Sequence, residues 1–245
     1  MTLLSLDAVT RRHRAGRELL DVLHEVTLDV WPGDIVAIRG ARRSGKTTLL
    51  RVIAGIEAPD AGTVRLDGRD VSRMPAAERT RRLREIGYAP KEWRVASGKP
   101  VVDHVALPLL AEGRPLSTAL AKAHEAIERV GAGDCAEIST RELSPGELVR
   151  CALARALVRG PRLLLVDEPG ATAEVEEREQ ILRLLRSLVA EREELAAIVV
   201  SRDVAGLSGA ERVMSIGGGQ LRTFEEPTAV IPFPARPPVQ PAPVP

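Results

Sequence analysis

Gly40-Ala41-Arg42-Arg43-Ser44-Gly45-Lys46-Thr47 fits the pattern G-x-x-x-x-G-K-[ST]. Its surroundings give the pattern meaning. Ile35–Arg39 reads as a short buried strand, and Thr48–Ala54 reads as a helix that stops at Gly55. In a strand–loop–helix setting the glycines let successive N–H groups converge on phosphate oxygens at the positive end of the helix. Lys46 brings a point charge to the β- and γ-phosphates, and the Thr47 hydroxyl suits Mg²⁺. Gly40, Ala41, Arg42, Arg43, Ser44, Gly45, Lys46, Thr47 and Thr48 are therefore the candidate nucleotide-binding residues.

A second carboxylate site lies 120 positions on. Leu163-Leu164-Leu165-Val166 reads as a buried strand, and Asp167-Glu168 follows at its C-terminal end, the edge at which open parallel sheets bind ligands. Asp167 suits Mg²⁺, held through water, and Glu168 is placed to polarise an attacking water. Between the two motifs comes Leu143-Ser144-Pro145-Gly146-Glu147, opening a helix through Val158. Ser144 is a good N-cap and Pro145 suits the first turn. Taken alone, this is equally a well-capped helix or a second anion-binding helix start.

Working outward, strands are expected at Leu3–Val9, Val26–Val30, Ile35–Arg39, Thr63–Leu66, Ile86–Ala89, Leu163–Val166, Ala197–Ser201 and Arg212–Ile216. Helices are expected at Lys46–Ala54, Ser117–Val130, Pro145–Val158 and Glu174–Glu191. Their alternation predicts an α/β fold with a mostly parallel, covered sheet. The first 70 residues hold more strands than helices and predict a β-rich subdomain. Lys91–Gly160 is strand-poor and reads as a helical insertion. Residues 1–225 form one body. Residues 226–245, with eight prolines from Pro227 to Pro245, read as an extended, disordered tail. Arg79, Arg81, Arg82 and Arg84 read as a solvated helix face, and Glu174, Glu176, Glu177 and Glu179 crowd a helix start, where negative charge is favoured.

The 35 basic and 34 acidic residues leave a net charge of +1, which gives no electrostatic case for nucleic acid. No apolar run approaches the length of a bilayer span, and Asp7 interrupts any signal-peptide core. Cys135 and Cys151 have no CxxC context and are expected as free thiols in a reducing cytosol. His13, His24, His104 and His124 lack metal-ligand spacing.

Phosphate loop, LSPGE and LLLVDEP, in this order, resemble the ATP-binding subunit of an ABC transporter, over roughly Leu3–Thr223. VLHEVTLDVWPGDIVAIRG, RVIAGIEAPDAGTVRLDGRDV and VVDHVALPLL are most similar to the branch serving lipoprotein release, macrolide export and peptide-antibiotic resistance. The resemblance implies a P-loop NTPase core, an N-terminal antiparallel β-subdomain and an inserted helical subdomain at about 91–160. It implies ATP and Mg²⁺ as ligands and a second ATP-binding subunit, identical or related, paired head to tail. Each nucleotide would then lie between one phosphate loop and the other copy's signature helix, where Ser144, Gly146 and Glu147 serve the γ-phosphate. It further implies integral membrane permease subunits as partners, facing Lys91–Val105 with Trp93 as a candidate anchor, and a cytoplasmic, peripheral place on the inner face of the cell membrane.

The chain departs from that pattern at catalytic positions. Lys91 stands where the family usually has Gln, and Ser201-Arg202-Asp203 where it has a switch His. Arg202 can still donate to a γ-phosphate, in another geometry and always charged; an ammonium at Lys91 has no acceptor for a metal. Pro145, Glu147, Arg43 and the Gly170–Glu174 loop also differ, and the adenine-stacking aromatic aligns with His13. Glu168 and Arg202 are the expected catalytic residues. Three functions follow: an energy-coupling ATPase subunit; a weakly hydrolysing, nucleotide-binding half of an asymmetric assembly; and a soluble ATPase acting on nucleic acid, against which the single unit without a coiled-coil insertion counts.

Overall fold

The computed structural model describes residues 1–16, 18–93, 98–169, 175–202, 210 and 212–224. The Pro-rich tail, the Gly170–Glu174 loop and Asp203 lie outside them. Ten strands and six helices occur among the described residues: β1 Leu4–Ala15, β2 Glu18–Val30, β3 Ile35–Arg39, α1 Lys46–Ile53, β4 Ala61–Leu66, β5 Arg69–Asp70, α2 Ala76–Leu83, β6 Ile86–Ala89, α3 Val101–Leu110, α4 Leu116–Arg129, α5 Pro145–Leu157, β7 Leu163–Asp167, α6 Val175–Ala190, β8 Ala196–Ser201, β9 Arg212–Gly217 and β10 Gln220–Thr223.

Two sheets organise the chain. One is antiparallel, in the order β2-β1-β4-β5; the other has the order β10-β9-β3-β8-β7-β6 and is parallel except for its β9–β10 edge. The expected β-rich start and mostly parallel core are both present. The β1–β2 hairpin runs further than its apolar cores suggest, pairing as far as Ala15 with Glu18. Its outer half pairs Arg12-His13-Arg14 with Leu19-Leu20-Asp21 and is largely exposed, so no alternation of buried and exposed apolar residues marks it as strand.

Alternate faces of the parallel strands enter two apolar cores. Leu164, Val166, Ala197 and Val199 pack with α3, α4, α5 and α6. Leu163, Leu165, Ile198 and Val200 pack with α1 and the antiparallel sheet. Strands buried on both faces explain the unbroken apolar runs LLLV and AAIVV. The α3–α5 helices fill the stretch expected as a helical insertion. α3 itself, VVDHVALPLL with Pro108 inside it, was marked by no helical periodicity. α2 carries the arginine cluster and buries none of its residues, as a solvated face should.

Close packing joins β6 to α5. A Cβ placed on Gly87 would collide with the carbonyl oxygen of Ala156 and come within 3.0 Å of Pro161. Cys135 and Cys151 are buried free thiols in the helical layer, and burial pushes the Cys151 thiol up to about 12. Trp93 is half-buried against the same core and stands edge-on to His104 with centroids 6.2 Å apart. Its buried half is a packing contact in this structure.

Candidate functional site

Four adjacent parallel strands deliver the site from their C-terminal ends. Gly40–Thr47 follows β3, Arg202 follows β8, Asp167 ends β7 with Glu168 next to it, and β6 supplies Tyr88 with Lys91 just beyond. The Gly40 N–H donates to Ser201 O at 3.1 Å, and the Glu168 N–H donates to Val200 O at 2.9 Å. These bonds tie the three central strand ends together.

The phosphate loop is shaped by close contacts. Gly45 is the N-cap of α1 at φ 101°, and a Cβ there would lie 2.6 Å from Val22 O. A Cβ on Gly40 would lie 2.7 Å from Ile216 O. Arg43 also adopts a left-handed φ, 64°, which for an L-residue with a side chain costs roughly 1–2 kcal/mol. α1 starts without a side-chain cap and without an acidic residue in its first turn, so its free N–H groups and dipole suit an anion. Ser44 Oγ is buried with no hydrogen-bond partner; an orphaned hydroxyl in such a loop fits a phosphate oxygen. Thr48 is buried in the same turn, while Ala41, Arg42 and Arg43 are exposed.

Lys46 is 4% exposed. Its Nζ donates to Gly40 O at 2.7 Å and Ala41 O at 2.8 Å, and lies 3.4 Å from Glu168 Oε1. Burial lowers its pKa, against the opposing pull of Glu168. Lys91 Nζ reaches the other oxygen, Glu168 Oε2, at 2.6 Å, and Arg202 Nε lies 3.2 Å from that same oxygen. Three cations thus surround one carboxylate. Burial works to raise the Glu168 pKa, but the hydrogen bond and charge of Lys91, with Lys46 and Arg202, outweigh it and hold it low. Glu168 has a left-handed φ of 47°.

Asp167 accepts from Thr47 Oγ1 at 3.3 Å through Oδ1 and from Tyr88 OH at 3.4 Å through Oδ2. Burial, with the neighbouring Glu168 charge, raises its pKa even though both hydrogen bonds oppose the change. Burial and the Asp167 charge push the Tyr88 phenol up to about 12. Among the described residues no group of three or more His, Cys, Asp or Glu converges on a metal position. The paired hydroxyl and carboxylate of Thr47 and Asp167 instead match Mg²⁺, which takes few protein oxygens and fills its shell from phosphates and water.

Two groups of expected residues sit apart from this cluster. Ser144 caps α5: its Oγ accepts from the Glu147 N–H at 3.3 Å, and its own N–H donates to Glu147 Oε2 at 2.7 Å. Those hydrogen bonds hold the Glu147 carboxyl below its ordinary value. Gly146 is buried in the first turn, and Ser144 is exposed. His13 Nε2 lies 2.8 Å from Glu57 Oε2, in a group with Arg11 and Arg51. Sequence reasoning missed Tyr88 as a site residue. Its place at the end of the strand before Lys91 was the available signal.

Residues 23–171 match the family model described as ABC transporter. This chain belongs to the ABC transporter family. Over 220 residues the cassette is 36% identical to the lipoprotein-releasing system ATP-binding protein LolD of Chromohalobacter salexigens, covering 89% of this chain and 92% of that protein. It is 33% identical to the macrolide export ATP-binding/permease protein MacB of Azoarcus sp., again over 220 residues, but spans only 33% of that longer protein. Both relatives fall in the branch that the sequence resembles. In three dimensions it is similar to the ATP-binding cassette MJ0796, solved as a dimer in a post-hydrolysis state with ADP and Pi. The TM-score is 0.82 at 26% identity, over 91% of this chain and 99% of that one. The P-loop NTPase fold of the cassette is thereby confirmed. No helix among its described residues is long and apolar enough to cross a membrane.

Proposed function

We propose that this cassette binds and hydrolyses ATP as the energy-coupling subunit of a membrane transporter. The observation that carries the reading is the convergence of the uncapped α1 start, Lys46, Thr47, Asp167 and Glu168 at the C-terminal ends of β3 and β7. Gly40–Thr48 would hold the triphosphate, with His13 against the base. Thr47 and Asp167 would hold Mg²⁺, which when bound neutralises phosphate charge. Glu168 would polarise the attacking water and Arg202 would donate to the γ-phosphate.

The α5 start lies apart from the phosphate loop and is supported by its own capping box. Ser144, Gly146 and Glu147 would therefore meet a nucleotide held by a second ATP-binding subunit, and closure of two copies on ATP would drive transport. Permease subunits would dock at the groove lined by Ala54, Ile56, Leu83, Tyr88 and Leu107, where Ile56 and Leu107 are exposed. That docking would place the cassette on the inner face of the cell membrane. The engagement of Glu168 by Lys91 and Arg202 favours slow turnover, and with it the second reading, a weakly hydrolysing half of an asymmetric assembly.

Two measurements test this. Lys46→Ala should abolish ATP binding; unchanged affinity would remove the phosphate-loop reading. Glu168→Gln should accumulate a dimer with ATP and Mg²⁺ in light scattering. A strictly monomeric variant at saturating nucleotide would instead point to an unlike partner.

A further inference from the structure

A charged cavity of about 300 Å³ opens in the helical layer and shares no residue with the phosphate loop. Three segments wall it: the end of α3 with the turn that follows, one face of α4, and the end of α5. Thr118, Lys122, Glu125 and Arg129 recur at three- and four-residue spacing and so share that face of α4. Arg114 stands in the turn before α4, and Arg159 follows α5. With Lys122 and Arg129 they bring four cations to the cavity, against Glu112 and Glu125. The two positive charges left over exceed the +1 of the whole chain.

Most of these cations are loosely held. Lys122 lies 3.6 Å from Glu125 and Arg129 lies 3.4 Å from Glu191, with all four side chains well exposed, and exposed pairs of this kind contribute little. Arg114 has no carboxylate partner among the described residues. Arg159 is the fixed member. Its Nε lies 2.8 Å from Glu112 Oε1, and its Nη2 donates to Pro108 O at 3.0 Å. Glu112 is itself outnumbered, because Arg84 Nε stands 3.8 Å from the same oxygen. A guanidinium placed before a ligand arrives loses little freedom on binding, and its planar fork matches phosphate oxygens. The other three cations can turn to an anion without breaking a buried contact.

We infer that this cavity binds a phosphate group, carried on a small phosphomonoester or on a lipid headgroup. The two surplus charges match a phosphomonoester dianion, and the volume falls at the lower end of small-molecule sites. Arg159 also lines the groove that holds Ile56 and Leu107. The two depressions thus share a wall, and an anion held in the cavity borders whatever occupies that groove. The inference uses no residue of the nucleotide site and stands or falls apart from the ATP-binding reading.

Two probes applied to the full chain test it. One is glycerol 3-phosphate in isothermal titration. The other is co-sedimentation with vesicles of phosphatidylglycerol and phosphatidylcholine, against vesicles of phosphatidylcholine alone. Binding of glycerol 3-phosphate assigns a soluble phosphomonoester; binding to the anionic vesicles without it assigns a lipid headgroup. Either should weaken at least about tenfold in Arg114→Gln/Arg129→Gln. Arg114→Gln alone, at an exposed position, serves if the double variant does not fold. Glu125→Gln, which removes a lining carboxylate, should tighten binding. Arg73→Gln/Arg81→Gln, which takes the same charge from exposed positions before and within α2, should leave it unchanged. Absence of binding by both probes overturns the inference. Binding that survives Arg114→Gln/Arg129→Gln, or that falls equally in Arg73→Gln/Arg81→Gln, comes from surface charge in general and overturns it. Binding lost in Lys46→Ala belongs to the phosphate loop and overturns it as well.

Discussion

Replacing Glu168 with Gln removes the one carboxylate that Lys46, Lys91 and Arg202 share, at 3.4, 2.6 and 3.2 Å. Breaking a buried ion pair by deleting one partner typically costs 3–5 kcal/mol, roughly, because a desolvated charge is left behind. Here the cost is smaller. Lys91 and Arg202 are 39% and 50% exposed and regain water, and surface pairs contribute little. Lys46, at 4% exposed, does not, although it retains two carbonyl acceptors. We expect the nucleotide-free Glu168→Gln protein to be less stable by about 2–3 kcal/mol. With a urea slope of about 3 kcal/mol/M, the midpoint falls by close to 1 M, roughly, at unchanged slope. The pH dependence has a definite sign. The native Glu168 pKa lies below its ordinary 4.5, so the stabilisation is complete above pH 4.5 and is lost as pH falls through the lowered native value. The gap between the two proteins should therefore be full at neutral pH and shrink in acid. A nucleotide-free variant as stable as the unaltered chain at neutral pH would refute the three-cation arrangement around Glu168.

Lys91→Gln and Arg202→His together should raise the catalytic rate more than about tenfold, since a carboxylate relieved of two cations is a stronger base; an unaltered chain already turning over at about 1 s⁻¹ or faster would contradict this. Tyr88 is the only tyrosine, so phenolate absorbance reads it directly. The native chain should stay unionised near about pH 11, while the urea-unfolded chain titrates near about 10. That raised pKa contributes stability that is complete below pH 10 and lost as pH rises towards 12. Gly87→Ala should destabilise by about 1–3 kcal/mol through overpacking against Ala156, visible as a lower urea midpoint. Ser144→Ala should cost about 1 kcal/mol by removing a helix cap, lowering the melting temperature by about 2–4 °C.

The elements that could be read from sequence are those whose residues answer to one local rule. Lys46–Ile53 and Pro145–Leu157 begin where their loop and cap residues place them. LLLVD and AAIVVS are continuous apolar strands because both their faces are covered. The outer half of β1–β2, α3 and the two-residue β5 obey no such rule and are set by tertiary pairing. The site divides in the same way. Phosphate loop, Asp167 and Glu168 were legible as motifs, whereas the convergence of Lys91 and Arg202 on one oxygen was not. They are separated from Glu168 by 77 and 34 positions, and only the strand order β8-β7-β6 brings them together.

The fit of Gly87 beneath Ala156 has a mechanical consequence. Between most helices and sheets a layer of side chains yields to small shifts, but here backbone rests on backbone and nothing is left to compress. α5 is a helix of 13 residues, about 20 Å long at the usual helical rise. Its far end carries Ser144. A shift of the β6 backbone at Gly87 would therefore press directly on the α5 backbone at Ala156, at the opposite end of the helix from Ser144.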